Sequence, residues 1–291
     1  MIFLRQLAVA VMLYLMFSPP ALSESFSNSP RIVALSPHLT ELVFAAGAGY
    51  KLVGVGNYSD YPPEAALLPR VSNNGKLNVE AIIRLRPDIV LAWESGNRTE
   101  DLNQLRRRGI NVVQTEARQL QDVPKLLRQI GSLAETSSVA EAQAADFERK
   151  ILSLRQRFST KSEVRTFMEI WHSPLMTINR QHVISSVLDL CGGVNVFGAN
   201  ASLTPTISKE QLFVSRIDAI VSVAFQDDAE LREGWRTYRS LSAVRNHHLY
   251  AVNAAALSRM TPRLADGAKE ICDVLERYRA LNALQNGRQN R

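Results

Sequence analysis

Several things are scarce in this sequence, and each scarcity removes a class of function. There are two cysteines in 291 residues, which make a poor metal site on their own. There is no Gly-x-Ser-x-Gly elbow, no phosphate-cradling glycine loop and no His-Glu-x-x-His pair, so the common hydrolase, nucleotide and zinc-peptidase arrangements are missing. Beyond the first two dozen residues no stretch approaches ~20 consecutive apolar residues, the length a membrane-spanning helix requires. Basic residues exceed acidic ones, for a formal charge of +6. They are scattered, however, whereas nucleic-acid binders gather them on one element. The densest run, Arg106-Arg107-Arg108 before Gly109, reads as the cationic end of a helix.

What is present begins with a leader. Arg5 precedes an apolar run from Leu7 to Phe17, Pro19-Pro20 break it, and Ala21-Leu22-Ser23 offers small residues for cleavage. Residues 1–23 are therefore expected to be a secretory signal peptide. Glu24-Ser25-Phe26 follow without a cysteine, so a lipid-anchored form is not expected, and the mature chain should be soluble in the periplasm. There an even cysteine count favours a Cys191–Cys272 disulfide; two buried free thiols are the alternative. Hydrophobic residues at 46% and charged residues at 21% describe a globular chain.

The fold class expected is α/β. Arg31–Ser36, Leu52–Val55, Asp88–Ala92 and Asn111–Gln114 read as strands, with a helix from Glu41 to Ala46 capped by Thr40 and a second from Leu102 to Arg108. From Val123 to Phe158 the pattern is helical, and Phe147, Ile151, Leu154 and Phe158 recur at three- and four-residue steps. Strands then resume at Thr166–Ile170, Ala219–Val223 and Leu249–Val252, and a helix from Ala265 to Leu281 leads to a polar tail. The division expected is an N-terminal lobe over residues 31–122, a linking segment over 123–161 that includes a long inter-lobe helix, a C-terminal lobe over 162–281, and a tail over 282–291. A repeat supports it. Asn78-Val-Glu80 before Asp88-Ile-Val90 is matched, 130 residues on, by Ser208-Lys-Glu210 before Asp218-Ala-Ile220. Two lobes on one plan, each with a glutamate early in a capped helix, follow from it.

Candidate binding residues sit where strands end, the place where α/β folds collect ligand contacts. Tyr58 and Tyr61 follow the second strand, Trp93 ends the third, and Trp171 ends the first strand of the second half. Such a set suits a cleft that grips a broad, partly apolar ligand, although each ring alone can simply pack on its own lobe. Arg259 and Arg263 can supply hydrogen bonds from the second half, or cap local structure. His38 and His172 stand at strand ends as possible ligand or metal contacts, while His247-His248 reads as a solvated turn.

Taken together, Ser36-Pro37 with Thr40-Glu41, Tyr58-Ser-Asp-Tyr-Pro-Pro63, Asn78-x-Glu80, Pro87-Asp88, Ala92-Trp93, Gly96-Asn97, Cys191-Gly-Gly-x-Asn-x-Phe197, Ser208-x-Glu210-Gln211, Pro262-Arg263 and Cys272 resemble the helical-backbone metal-chelate receptors of ABC importers. Within them, the likeness is to the cobalamin-binding members. It covers Arg31 to Leu281. The resemblance implies a class III periplasmic binding protein: two Rossmann-like lobes with parallel sheets, joined by one long rigid helix, binding cobalamin as transported cargo rather than as a cofactor. It places Tyr58, Trp93 and Arg259 on the ligand, Glu80 and Glu210 on the membrane subunits of the importer, and a disulfide between Cys191 and Cys272. Asn74 and Thr204 stand where tryptophans are expected, Ala255 replaces an expected aspartate, and Trp171 is an addition, so the pocket is re-lined. The expected protein is a monomeric receptor with no enzymatic activity, no resident metal and no nucleic-acid partner. A ferric siderophore or haem is the alternative cargo, and an envelope enzyme the reading from a different class.

Overall fold

The computed structural model describes residues 29–73 and 76–289; the expected leader lies outside them. Two four-stranded parallel sheets organise the molecule. The first is built from β1 (Ile32–Ala34), β2 (Leu52–Val55), β5 (Ile89–Trp93) and β6 (Asn111–Thr115), in the order β2-β1-β5-β6. A two-stranded antiparallel pair, β3 (Ser72–Asn73) and β4 (Lys76–Leu77), sits between β2 and β5 in the chain. The second sheet contains β7 (Val164–Glu169), β8 (Gly193–Asn195), β9 (Ala219–Ser222) and β10 (Leu249–Ala251), in the order β8-β7-β9-β10. The two orders are equivalent: in each, the first strand lies between the second and the third. The short stretch at Gly193–Asn195 gives little warning in the sequence, because a three-residue edge strand opening on glycine carries no alternation.

The helices of the first half are α1 (Pro37–Ala45), α2 (Val79–Arg84) and α3 (Thr99–Arg107). The linking segment holds α4 (Asp122–Leu133) and α5 (Ser137–Phe158), and the second half holds α6 (Val183–Leu190), α7 (Lys209–Val214), α8 (Asp228–Gly234), α9 (Ser242–Arg245), α10 (Ala254–Leu257) and α11 (Leu264–Gln289). The helix expected from Glu41 starts four residues earlier. Ser36 is its extended N-terminal flank and Pro37 occupies the first turn, where a missing N–H costs nothing. Thr40 is not a cap. It lies inside the helix, its hydroxyl donating to the Ser36 carbonyl at 3.1 Å and paired with the Ser59 hydroxyl at 3.0 Å.

The repeat is visible in detail. Asn78 caps α2 by accepting from the Ala81 amide, and Ser208 caps α7 through a reciprocal pair with Gln211. Asp88 accepts from the Arg31 amide at 2.8 Å, and Asp218 accepts from the Arg165 amide at 3.0 Å. The same carboxylate therefore ties the start of the first strand to the start of the third in each half.

The helical stretch expected from Val123 to Phe158 is two helices. Glu135, held at a positive φ of 57°, turns the chain between α4 and α5. Arg128 on α4 clamps both Glu141 and Glu148 on α5, at 2.7 Å each. Gly131 permits the close approach, since a Cβ there would lie 2.2 Å from that of Ala140. Ala140, Ala144, Phe147, Ile151 and Phe158 of α5 all belong to one buried cluster that contains residues of both sheets, from Ile32 to Tyr278. The long helix is thus a strut set into the core, as the periodicity of Phe147, Ile151 and Phe158 anticipates. Cys191 at the end of α6 and Cys272 in α11 form a disulfide, with both side chains fully buried.

Candidate functional site: an aromatic cleft bridged by arginine

The candidate site residues lie at or beyond the carboxyl ends of strands in the two sheets, where open α/β sheets bind ligands. From the first half, β2 delivers Tyr58. Its backbone is left-handed (φ 62°), a rare state for a bulky residue, and the ring stands 80% exposed. β5 delivers Trp93. Its indole N–H donates to Glu116 Oε1 at 3.2 Å, and its amide donates to Asn97 Oδ1 at 2.7 Å. Glu116 also accepts from the Ser95 amide at 3.0 Å. These bonds outweigh the cost of its partial burial and hold its carboxyl below the ordinary range. His38 meets Trp93 edge-on, with ring centroids 5.2 Å apart. Burial depresses the His38 pKa to about 4, against an opposing contribution from Glu116, so its ring is neutral at pH 7. Glu116 and His38 hold the tryptophan as a half-exposed platform. Glu116 gives no signal in sequence, because it lies after β6, far along the chain from Trp93.

From the second half, β7 leads to Trp171, which is 58% exposed with its indole N–H fixed on the Ser173 carbonyl at 2.9 Å. Arg259 follows α10 and reaches the other lobe. Its Nη1 donates to Glu41 Oε1 and to Asp60 Oδ1, both at 2.7 Å, and Nη2 donates to the Tyr58 carbonyl at 3.3 Å. The hydrogen bond from Arg259 is the main reason the Asp60 carboxyl sits below its usual pKa. Arg263 joins the bridge, 3.4 Å from Glu41 and with its guanidinium 4.1 Å above the Tyr61 ring. Glu41 is almost fully buried, and its second oxygen, Oε2, has no partner among the described residues. Three of the five donors of Arg259 are used on the first lobe, leaving Nε–H and one Nη2–H.

The structure therefore brings Tyr58 and Arg259 together, across the lobes, through a backbone carbonyl. Asn74 lies outside the described residues. Ala255 is exposed in the first turn of α10, its amide donating to the Asn253 side chain at 2.9 Å, and Thr204 is exposed in the loop between β8 and α7. Glu80 and Glu210 are exposed in the first turns of α2 and α7. Among the described residues no group of three His, Cys, Asp or Glu side chains converges as a metal site.

A family model described as "Periplasmic binding protein" matches residues 32–256. The chain belongs to the periplasmic binding protein family. Among members of that family, it is 34% identical over 266 residues to the vitamin B12-binding protein of Vibrio cholerae, covering 90% of this chain and 95% of that protein. It is 34% identical over 254 residues to the protein of the same name in Pectobacterium carotovorum, covering 86% and 90%. The crystal structure of periplasmic vitamin B12 binding protein BtuF of Vibrio cholerae superposes with a TM-score of 0.78, covering 86% of this chain and 98% of that one at 34% identity. The periplasmic heme binding protein HutB of Vibrio cholerae superposes with a TM-score of 0.75 at 20% identity, a likeness of fold. The equivalent strand orders and the helical strut are accordingly those of a periplasmic binding protein, the fold the sequence motifs indicate.

Proposed function

We propose that the protein captures cobalamin or a closely related corrinoid in the cleft and delivers it to an inner-membrane ABC importer. It acts as a monomeric periplasmic receptor, released from residues 1–23 and without catalysis. One observation carries the reading: both lobes expose aromatic rings at strand ends, Tyr58, Trp93 and Trp171, and Arg259 bridges the lobes at Tyr58, in a chain one-third identical, over most of its length, to proteins called vitamin B12-binding. A corrin is a broad disc with an apolar face and a rim of amides. Half-exposed aromatic rings suit the face, and the two free donors of Arg259 suit amide carbonyls at the rim. Ala255 and Asn74, at re-lined positions, adjust the fit. The strut keeps the lobes together, so capture needs side-chain adjustment more than lobe closure. Glu80 and Glu210, one exposed on each lobe, are the contacts for the importer's membrane subunits.

Titration calorimetry with cyanocobalamin, cobinamide, haem and a ferric siderophore tests the reading. Binding of both corrinoids is expected. Binding of an iron chelate alone would transfer the assignment to siderophore or haem capture.

A further inference from the structure

Next to Trp171, at the carboxyl end of β7, the second lobe carries a histidine–carboxylate pair that aromatic packing of a disc does not require. Glu169 is fully buried. Its Oε1 lies 2.7 Å from His172 Nδ1, and its Oε2 accepts from the indole N–H of Trp235 at 3.1 Å. The imidazole is walled by Phe225, with ring centroids 4.9 Å apart, and by Trp235, at 6.0 Å. Gly234 completes the wall. A Cβ there would sit 2.6 Å from Phe225 Cζ and 3.5 Å from His172 Nε2, so any side chain would disturb the ring beside the histidine.

A carboxylate accepts hydrogen bonds, so Nδ1 carries a proton, and in the neutral ring Nε2 carries the lone pair. Nε2 makes no hydrogen bond among the described residues, and it is not one of the orphaned buried atoms. The side chain is 32% exposed. One nitrogen is therefore fixed and the other is open. Burying a carboxylate to tie down two rings is an expensive way to stabilise a fold. The same arrangement is what orients a metal-binding imidazole and raises its basicity. His38 differs: both its ring nitrogens lie within 3.4 Å of the Ser36 hydroxyl, and its edge is set against Trp93.

We propose that His172 is an axial ligand to the cobalt of the corrinoid cargo, with Glu169 as its positioning residue. This rests on the corrinoid reading. The step is a ligand exchange: the bond from cobalt(III) to an axial water breaks, the water leaves with its electron pair, and the Nε2 lone pair forms a cobalt–nitrogen bond. No electron is transferred, and the Nδ1 proton stays on its hydrogen bond to Glu169. The site then favours corrinoids with a labile axial water over cyanocobalamin, whose two axial positions are filled.

Diaquacobinamide, which has exchangeable water on both faces, is the probe, followed by visible absorption. With the unaltered protein the bands should move to the positions that free imidazole produces. In His172→Ala and His172→Gln that shift should vanish and affinity for diaquacobinamide should fall about 10- to 100-fold. The melting temperature, which reports an intact fold, should be unchanged in His172→Gln, and affinity for cyanocobalamin should fall less than that for diaquacobinamide. Added imidazole should restore the bands in His172→Ala. Diaquacobinamide that binds with its diaqua bands unmoved, or a shift that survives in both variants, would overturn the ligation while leaving corrinoid capture standing. Failure of every corrinoid to bind would overturn both.

Discussion

Trp93 shows how much of a binding surface depends on the residues behind it. Its ring is offered to solvent, yet its N–H is held by Glu116 and its edge by His38. Trp93→Ala should therefore weaken corrinoid affinity by about 2 kcal/mol or more, in the range of a central aromatic contact. Glu116→Gln, which leaves the ring in place, should cost less; titration of both variants checks the order. His38 carries a pH signature. Its folded pKa of about 4 lies below the ordinary 6.5, so below pH 6.5 the unfolded chain binds a proton that the folded chain does not. Its contribution is neutral above that value, and stability is lost progressively as pH falls towards 4. His38→Gln should remove this component, so its melting temperature should drop less than that of the unaltered protein between pH 7 and pH 4.5. The places of Tyr58 and Trp93 after β2 and at the end of β5 were legible in sequence because strand ends can be located from apolar runs, whereas Arg259, which follows α10, was singled out by the resemblance. Glu116, Asp60 and Glu41 were not, since their partners lie on other elements and no local spacing joins them.

At the level of elements, alternation and repeat located most strands, and the helical pattern of the linking segment ends where α5 does, at Phe158. The short pieces escaped, because β8 and the β3–β4 pair hold too few residues for a period to register. The break between α4 and α5 escaped as well, since Glu135 adopts its left-handed turn without glycine or proline to mark it. The disulfide joins α6 to α11 across 81 residues of sequence. Loop closure on that scale restricts the unfolded chain by about 4.5 kcal/mol. Cys191→Ser with Cys272→Ser should lower unfolding free energy by a comparable amount in denaturant titration, while leaving corrinoid affinity intact, because both cysteines are buried away from the cleft loops.

Across the whole molecule, the strut and the shared core make the two lobes one cooperative body, and the exposed glutamates sit one to a lobe. Glu80→Ala with Glu210→Ala should weaken association with the importer in a vesicle pull-down and leave ligand titration unchanged. Loss of ligand binding in that variant would remove the docking role. The frame follows one plan twice over, down to the Asp88 and Asp218 ties. The groups at the strand ends do not: the first lobe carries Tyr58, Trp93 and His38 there, and the second carries Trp171 and His172, with Arg259 after α10. A symmetric clamp with unlike jaws distinguishes the two faces of whatever it grips. Cargo seated there has one heading, and a transporter engaging both lobes at once receives it the same way round on every delivery.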